Sequence, residues 1–432
     1  MNKNTVSLMV RAVIAGAILS CAGLANATVY SQCPGDLNGD GDNTDIGESS
    51  IVTHDLNGDG DTLDPGEVNT AKCMHLTGGD GYIQMADDTP RPLYMFGFGD
   101  LTGTPDDQIM LEGVLSAEFP APNIELQQGE EFYLTLSNTG MVMRPDLFDP
   151  HTVHFHGYPN ASSIFDGLPD TAVSINMGAS ITYYYNIQDP GTYMYHCHVE
   201  ATEHMQMGML GNLYIHPAQN GTTFEYPLTS GRTFDRFVYN DGDGSTGYDV
   251  EVPIQLGSFD SAFHDASESV QPLPFAEMAD NYPMLNGRGY PDTVIAGALP
   301  SVDTHLDPGI PFKQGRQTQP VDTHIEATQG EKILLRISNL NVTRFYSINT
   351  LGIPMEVVGV GAKQHVGPSG KKLYYKTQSV TLGGGEALDV MLDTADVAAG
   401  KYYLYTGNLN YLSNGDEDFG GMMTEIIVNP AI

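Results

Sequence analysis

Hydrophobic and polar positions alternate over short stretches of this chain. Ile124-Glu125-Leu126 and Phe132-Tyr133-Leu134-Thr135-Leu136 switch character at every residue, the period of a half-buried strand. Ile181 to Ile187 and Thr192 to Tyr195 are further strand candidates rich in Tyr, set apart by the turn residues Gln128-Gly129 and Asp189-Pro190-Gly191. No long stretch carries a helical period. Many short strands without long helices predict an all-β chain built of sandwich or barrel domains.

The pattern occurs twice. Asn123 to Asn138 parallels His324 to Asn339, at an offset of 201 residues. Ile175-Asn176-Met177-Gly178 likewise parallels Val380-Thr381-Leu382-Gly383, and Asp189 to Tyr195 parallels Ala399 to Leu404. A repeat this long means two copies of one β domain. It divides the chain into an export signal (1–27), an Asp/Asn/Gly-rich segment (28–95), a first β domain (96–217), a connector (218–247) and a second β domain (248–432). The signal reading rests on Lys3 and Arg11, the apolar stretch Val13 to Leu19 and the small residues Ala25-Asn26-Ala27. It predicts a secreted, periplasmic or cell-surface protein, with lipidation at Cys21 as the alternative.

Charge narrows the partners. With 54 Asp and Glu against 18 Lys and Arg, the net charge of −36 would repel nucleic acid and anionic membrane surfaces. No later run approaches the ~20 apolar residues of a membrane span. Cations, and neutral or cationic partners, remain. Cys33 and Cys73 flank one small region and could close a loop in an oxidising compartment, which leaves Cys197 unpaired between two histidines.

A dense group of acids forms a duplicated motif. Asp36-Leu37-Asn38-Gly39-Asp40-Gly41-Asp42 returns nineteen residues later as Asp55-Leu56-Asn57-Gly58-Asp59-Gly60-Asp61. Oxygen side chains at alternating positions around turn glycines suit Ca²⁺, a hard cation that takes several oxygens. Asp36, Asn38, Asp40, Asp42, Asp55, Asn57, Asp59 and Asp61 are the candidate calcium ligands. The motif resembles the first half of an EF-hand or dockerin-like loop, but Gly47 and Gly66 stand at the twelfth positions and Glu48 and Glu67 come one residue late. A solvated acidic linker with Asx turns is the other reading.

Redox chemistry concentrates in the first β domain. His151, His154 and His156 fall within six residues, and His196-Cys197-His198, His204 and Gly208-Met209 follow some forty residues on. One thiolate, two imidazoles and a weak thioether form the ligand set of a blue-copper electron-transfer site, here His151, Cys197, His204 and Met209. Strand alternation sends Cys197 to one side and His196 and His198 to the other, while His154 and His156 share a face. Those four histidines are candidates for a second metal site a few covalent bonds from the first.

His151-Thr-Val-His154-Phe-His156-Gly157 and His196-Cys197-His198…His204…Gly208-Met209 resemble the copper motifs of the multicopper oxidases, the laccase-like family, with a Cys-to-His spacing two residues longer than usual. Asp166-Gly167-Leu168-Pro169 and Leu382-Gly-Gly-Gly-Glu386 are also similar to stretches of that family. The resemblance implies two Greek-key cupredoxin domains, copper as cofactor, and type 1 copper at His151, Cys197, His204 and Met209. It further implies a catalytic copper site on His154, His156, His196 and His198, and a reductant that is a small molecule, a metal ion or a redox protein. The family's trinuclear centre uses eight histidines. This chain supplies four in His-x-His pairs, and the second copy has Ser347-Ile348-Asn349 and Tyr405-Thr406-Gly407 at the equivalent places. His216, His264, His305, His324 and His365 are isolated. A subunit interface, and so a homo-oligomer, could complete the centre; a copper nitrite reductase-like enzyme and a type 1 copper carrier are the alternatives.

Overall fold

The computed structural model describes residues 29, 31–58, 61–62, 64, 66–87, 92–158, 161–269, 272–300, 316–415 and 417–431. The expected signal segment with Cys21, and also Asp59 and His305, lie outside the described residues.

The first half forms strands β1 (Ile51–Thr53), β2 (Val68–Gln84), β3 (Pro92–Asp100), β4 (Ala121–Gln127), β5 (Glu131–Gly140), β6 (His154–His156), β7 (Ser180–Asn186), β8 (Gly191–His196) and β9 (Leu210–His216). They make two facing sheets, β1-β2-β5-β7 with β3 on β2, and β4-β9-β8-β6. Within them β2 runs parallel to β5 and β4 parallel to β9. Alternation decides which residues pack: Phe132, Leu134 and Leu136 of β5 enter a core with Leu76, Phe96, Tyr183, Tyr185 and Tyr195. Each such side chain contributes on the order of 2 kcal/mol by leaving water, enough in sum to hold costly polar groups among them.

The expected boundary at 95 differs from the observed one. Residues 68–84 and 92–100 are β2 and β3 of the first sandwich, because their apolar positions (Leu76, Tyr94, Phe96, Phe98) complete its core. The acidic segment before them covers the sheet's outer face. Cys33 pairs with Cys73 of β2, and β1 pairs with the start of β2. His75 of β2 is fully buried between Ser31 Oγ (3.2 Å) and Ser137 Oγ (2.8 Å), and Ser31 Oγ donates to Asp106 (2.6 Å).

The connector holds a small hairpin, β10 (Phe224–Glu225) with β11 (Thr233–Phe234). The second half follows with β12 (Val250–Phe259), β13 (Tyr282–Leu285), β14 (Ile325–Thr328), β15 (Lys332–Asn339), β16 (Tyr346–Leu351), β17 (Met355–Val360), β18 (Lys363–Gln364), β19 (Tyr375–Thr377), β20 (Ser379–Leu382), β21 (Glu386–Asp393), β22 (Gly400–Thr406) and β23 (Met423–Asn429). Its topology repeats the first: β12 is parallel to β15 as β2 is to β5, and β14 is parallel to β23 as β4 is to β9. The chain is thus all-β in two Greek-key sandwiches.

A shared apolar cluster joins the halves, with Met95, Phe119 and Met194 from the first and Phe259, Met284 and Leu340 from the second. Beside it lies Arg336, fully buried, which pairs with Glu251 and with Asp389 (3.4 Å), donates to Thr192 Oγ1 (3.0 Å) and stacks over Tyr214 (5.1 Å). Thr192 is on β8, so this ionic knot is anchored to the strand that carries His196.

Arg336→Ala leaves two buried carboxylates without their cation and is expected to lower stability by about 3–5 kcal/mol; a urea midpoint unchanged from the parent would contradict this. Burial holds the His75 imidazole down at about 4, against 6.5 when unfolded, with Asp106 pulling weakly the other way. A depressed histidine contributes stability present above pH 6.5 and lost as pH falls through about 4. The size is about 3 kcal/mol. Stability measured from pH 7 to pH 4 should fall less steeply in His75→Gln than in the parent; equal slopes would rule this out.

Candidate metal centres

Two groups of ligand atoms converge on opposite sides of the chain as it leaves β8. In the first, the Cys197 thiol meets His204 Nδ1 at 3.2 Å and His151 Nδ1 at 3.9 Å, and all three residues are fully buried. Among the described residues the ring nitrogens on the far side, His151 Nε2 and His204 Nε2, have no partner within hydrogen-bond distance, Asp149 standing 3.9 Å from the latter. Burial alone depresses both imidazoles. It wins at His151, with help from His204, and drives that ring well below its ordinary value. At His204 the charges of Cys197 and Asp149 outweigh burial and hold the ring up at about 10. One imidazole pushed down and one held up beside a thiol, in a dry pocket, suit a soft cation that replaces the proton.

His204 sits on a short helix, α1 (Ala201–Met207). Ala201 to Met207 contains neither Gly nor Pro, and Gly208 ends the helix with φ +118°. The helix absorbs the two extra residues of the Cys-to-His spacing and turns the ring back toward Cys197. The Met209 N–H donates to the His204 carbonyl (2.8 Å), and its own carbonyl accepts from the Cys197 N–H (3.1 Å). Met209 and Met207 are both fully buried in the core that contains Cys197, whereas Met205 faces the other way.

In the second group the ligand nitrogens of His154, His156 and His196 lie within 4.8 Å of one another. His154 Nδ1 donates to the Asp166 carbonyl (2.6 Å) and His196 Nδ1 to the Cys197 carbonyl (2.7 Å). The Nδ1 side of His156 lies on the Gly385 backbone, whose hydrogen bond partly offsets the downward pull of burial on that ring. A carbonyl only accepts, so each Nδ1 carries the hydrogen and each Nε2 presents a lone pair. His156 Nε2 and His196 Nε2 are 2.9 Å apart. Two lone pairs at that distance repel unless a cation lies between them, so the donors fit a metal ion. His198 is not among the three residues whose ligand atoms lie within 4.8 Å of one another, although its ring centroid is 5.1 Å from that of His154, as near as the trio's own; its backbone N–H donates to Thr152 Oγ1 (3.1 Å).

Several supporting residues escaped the motif reading. Gly78 of β2 lets His151 lie against the sheet, since a Cβ there would stand 2.8 Å from His151 Cδ2. Gly385 plays the same part for His156, where an added Cβ would meet Nδ1 and Cε1 at 3.0 Å. The Leu382 to Glu386 motif already pointed to the latter; Gly78 gave no signal, because it lay in a segment read as separate. Among the isolated histidines, His216 faces Glu125 (3.9 Å), His264 bonds the Tyr94 and Gln206 carbonyls, His324 faces Glu326 (3.0 Å) and His365 packs on Tyr375.

The acidic loops also differ from expectation. Glu48 accepts from the Leu37 and Asp45 N–H groups, and Glu67 accepts from those of Leu56 and Asp64. The residues one place late therefore close each loop. Asn38 donates to Asp45 and Asn57 to Asp64, so Asp45 and Asp64 join Asp36, Asp40, Asp42, Asp55 and Asp61 as loop acids.

Two family models described as multicopper oxidase match residues 105–220 and 276–429, together more than half of the chain. The chain is 24% identical over 315 residues to an L-ascorbate oxidase of Brassica rapa subsp. pekinensis, covering 71% of this chain and 47% of that protein. It is 23% identical over 280 residues to the multicopper oxidase MmcO of Mycobacterium tuberculosis (strain ATCC 25618 / H37Rv), covering 64% and 46%. It thus spans about half the length of these curated relatives. In fold it is similar to the blue copper oxidase from Nitrosomonas europaea, with a TM-score of 0.56, 21% identity, and coverage of 82% of this chain and 85% of that one. The matched models take in part of each sandwich and every clustered histidine, and the chain belongs to the multicopper oxidase family.

Proposed function

We propose that the chain is a copper-dependent oxidoreductase with a type 1 copper on His151, Cys197 and His204, Met209 beside it, and a second copper site on His154, His156 and His196, with His198 at its edge. The observation that carries this reading is the convergence of a buried thiol with two Nδ1 atoms, one residue along the chain from a trio of Nε2 atoms. Bound there, copper would supply one-electron chemistry. The chain's own residues do the rest. Closely packed apolar side chains exclude water from Cys197 and hold its ligand geometry nearly rigid, which keeps reorganisation small. The Cys197–His196 peptide bond, and the hydrogen bond from His196 Nδ1 to the Cys197 carbonyl, join the two sites by a short path. Asp149, partly exposed and 3.9 Å from His204 Nε2, marks the side on which a reductant can approach. That reductant is a small molecule, a metal ion or a redox protein. The Cys33–Cys73 disulfide supports an oxidising, extracytoplasmic location.

The paired acidic loops support a second, independent reading as Ca²⁺ sites. Desolvation, then repulsion from Asp40, Asp42 and Glu48, raises Asp45 from its ordinary value, and a bound cation would relieve that repulsion.

Copper-loaded protein should show an intense blue absorption that Cys197→Ser abolishes, while non-blue copper stays on the imidazoles; colour that survives the substitution rules out the type 1 assignment. Ca²⁺ at about a hundred times its Kd should raise stability by about 2.7 kcal/mol. The Glu48→Gln/Glu67→Gln double variant should lose that gain, and a parent whose melting temperature ignores Ca²⁺ and chelator would refute the calcium sites.

A further inference from the structure

We infer that the imidazole trio holds one copper rather than a cluster of three, and that the cleft in front of it binds a small anion through Arg344. This rests on the copper reading above and specifies what that second site takes.

The donor count comes first. A cleft of about 500 Å³ opens onto His156, His196 and His198, and its far wall comes from the second sandwich of the same chain. That wall consists of Leu340 to Phe345 with Gly384 and Gly385, and it contains no imidazole, thiol or carboxylate. Three convergent nitrogens with a fourth ring nearby satisfy one copper and leave nothing for two more. A second copy of the chain would not supply the deficit in pairs. The repeat places Ser347, Asn349, Tyr405 and Gly407 where paired histidines would be needed, and His216, His264 and His324 are engaged elsewhere.

The charge on the wall comes second. Arg344 is its one ionisable side chain. Its guanidinium leans on Tyr411, donating to the phenol oxygen (3.4 Å) with the ring centroid 5.8 Å away. No carboxylate lies within ion-pairing distance of it among the described residues, although the chain has 54 Asp and Glu. A cation left without a counter-ion, across a cleft from a metal-binding trio, gives a ligand two positive partners. The class that fits is a small mono-anion, an oxyanion or pseudohalide, with one end toward the metal and the other toward the guanidinium.

The test uses the full chain loaded with copper, metal analysis with EPR to count non-blue copper, and titration with nitrite and with azide. The inference predicts one non-blue copper per chain beside the blue one. It also predicts that either anion changes the non-blue EPR signal while leaving the blue signal alone. Arg344→Gln should weaken anion binding about tenfold at unchanged copper content, the effect of losing one charge-assisted contact, and Arg344→Lys should recover part of it. Three non-blue coppers per chain would overturn the single-metal site while sparing the copper reading. Anion affinity unchanged in Arg344→Gln would overturn the role of the cleft. A parent with no copper on its imidazoles would defeat the copper reading, and this inference with it.

Discussion

The structure depends on how β8 ends. Successive side chains of an extended backbone point to opposite sides, and here the alternation runs through His196, Cys197 and His198 without interruption. The thiol enters the dry core of the first sandwich, while the flanking imidazoles turn toward the second sandwich and its cleft. Two metal environments of different character, one sealed and soft and one open and nitrogen-rich, are thereby held one residue apart. A register slip of a single residue would exchange the two sides and destroy both. The ladder from β8 to β9, the Thr192 contact to Arg336 and the Met209 carbonyl on the Cys197 N–H all act to hold that register.

Among the described residues the second sandwich has no ligand trio of its own, yet it shapes the one in the first. Gly385 fixes the orientation of His156 by touching its Nδ1 side, and Leu340 to Phe345 close the cleft. The buried Arg336 knot keeps the two halves in one relative position, and a buried ion pair is a sensitive device for this because breaking it is far more costly than its net contribution. The second copy of the domain thus supplies scaffold and interface without the paired imidazoles.

Much of this was legible in the residues alone. The 201-residue repeat identified the two sandwiches, and the parallel pairings β4 with β9 and β14 with β23 reproduce it strand for strand. The clusters around His151 and Cys197 marked both candidate centres, because few other arrangements need thiol and imidazole so closely spaced. Local pattern could not reveal contacts made through distant pairing. β2 was hidden within the Asp/Asn/Gly-rich segment, and its glycines make room for His151 and for neighbouring backbone. The helix that carries His204 was too short, at seven residues, to show a period. Glu48 and Glu67 failed a twelve-residue template, but as hydrogen-bond acceptors they close loops one residue longer.

The most direct test of the central claim is anomalous X-ray scattering at the copper edge from crystals of the copper-loaded chain. The account predicts one peak between Cys197 Sγ and the Nδ1 atoms of His151 and His204, and a second at the Nε2 atoms of His154, His156 and His196. An absence of scattering beside the sulfur, or a sulfur remote from those two rings, would contradict it.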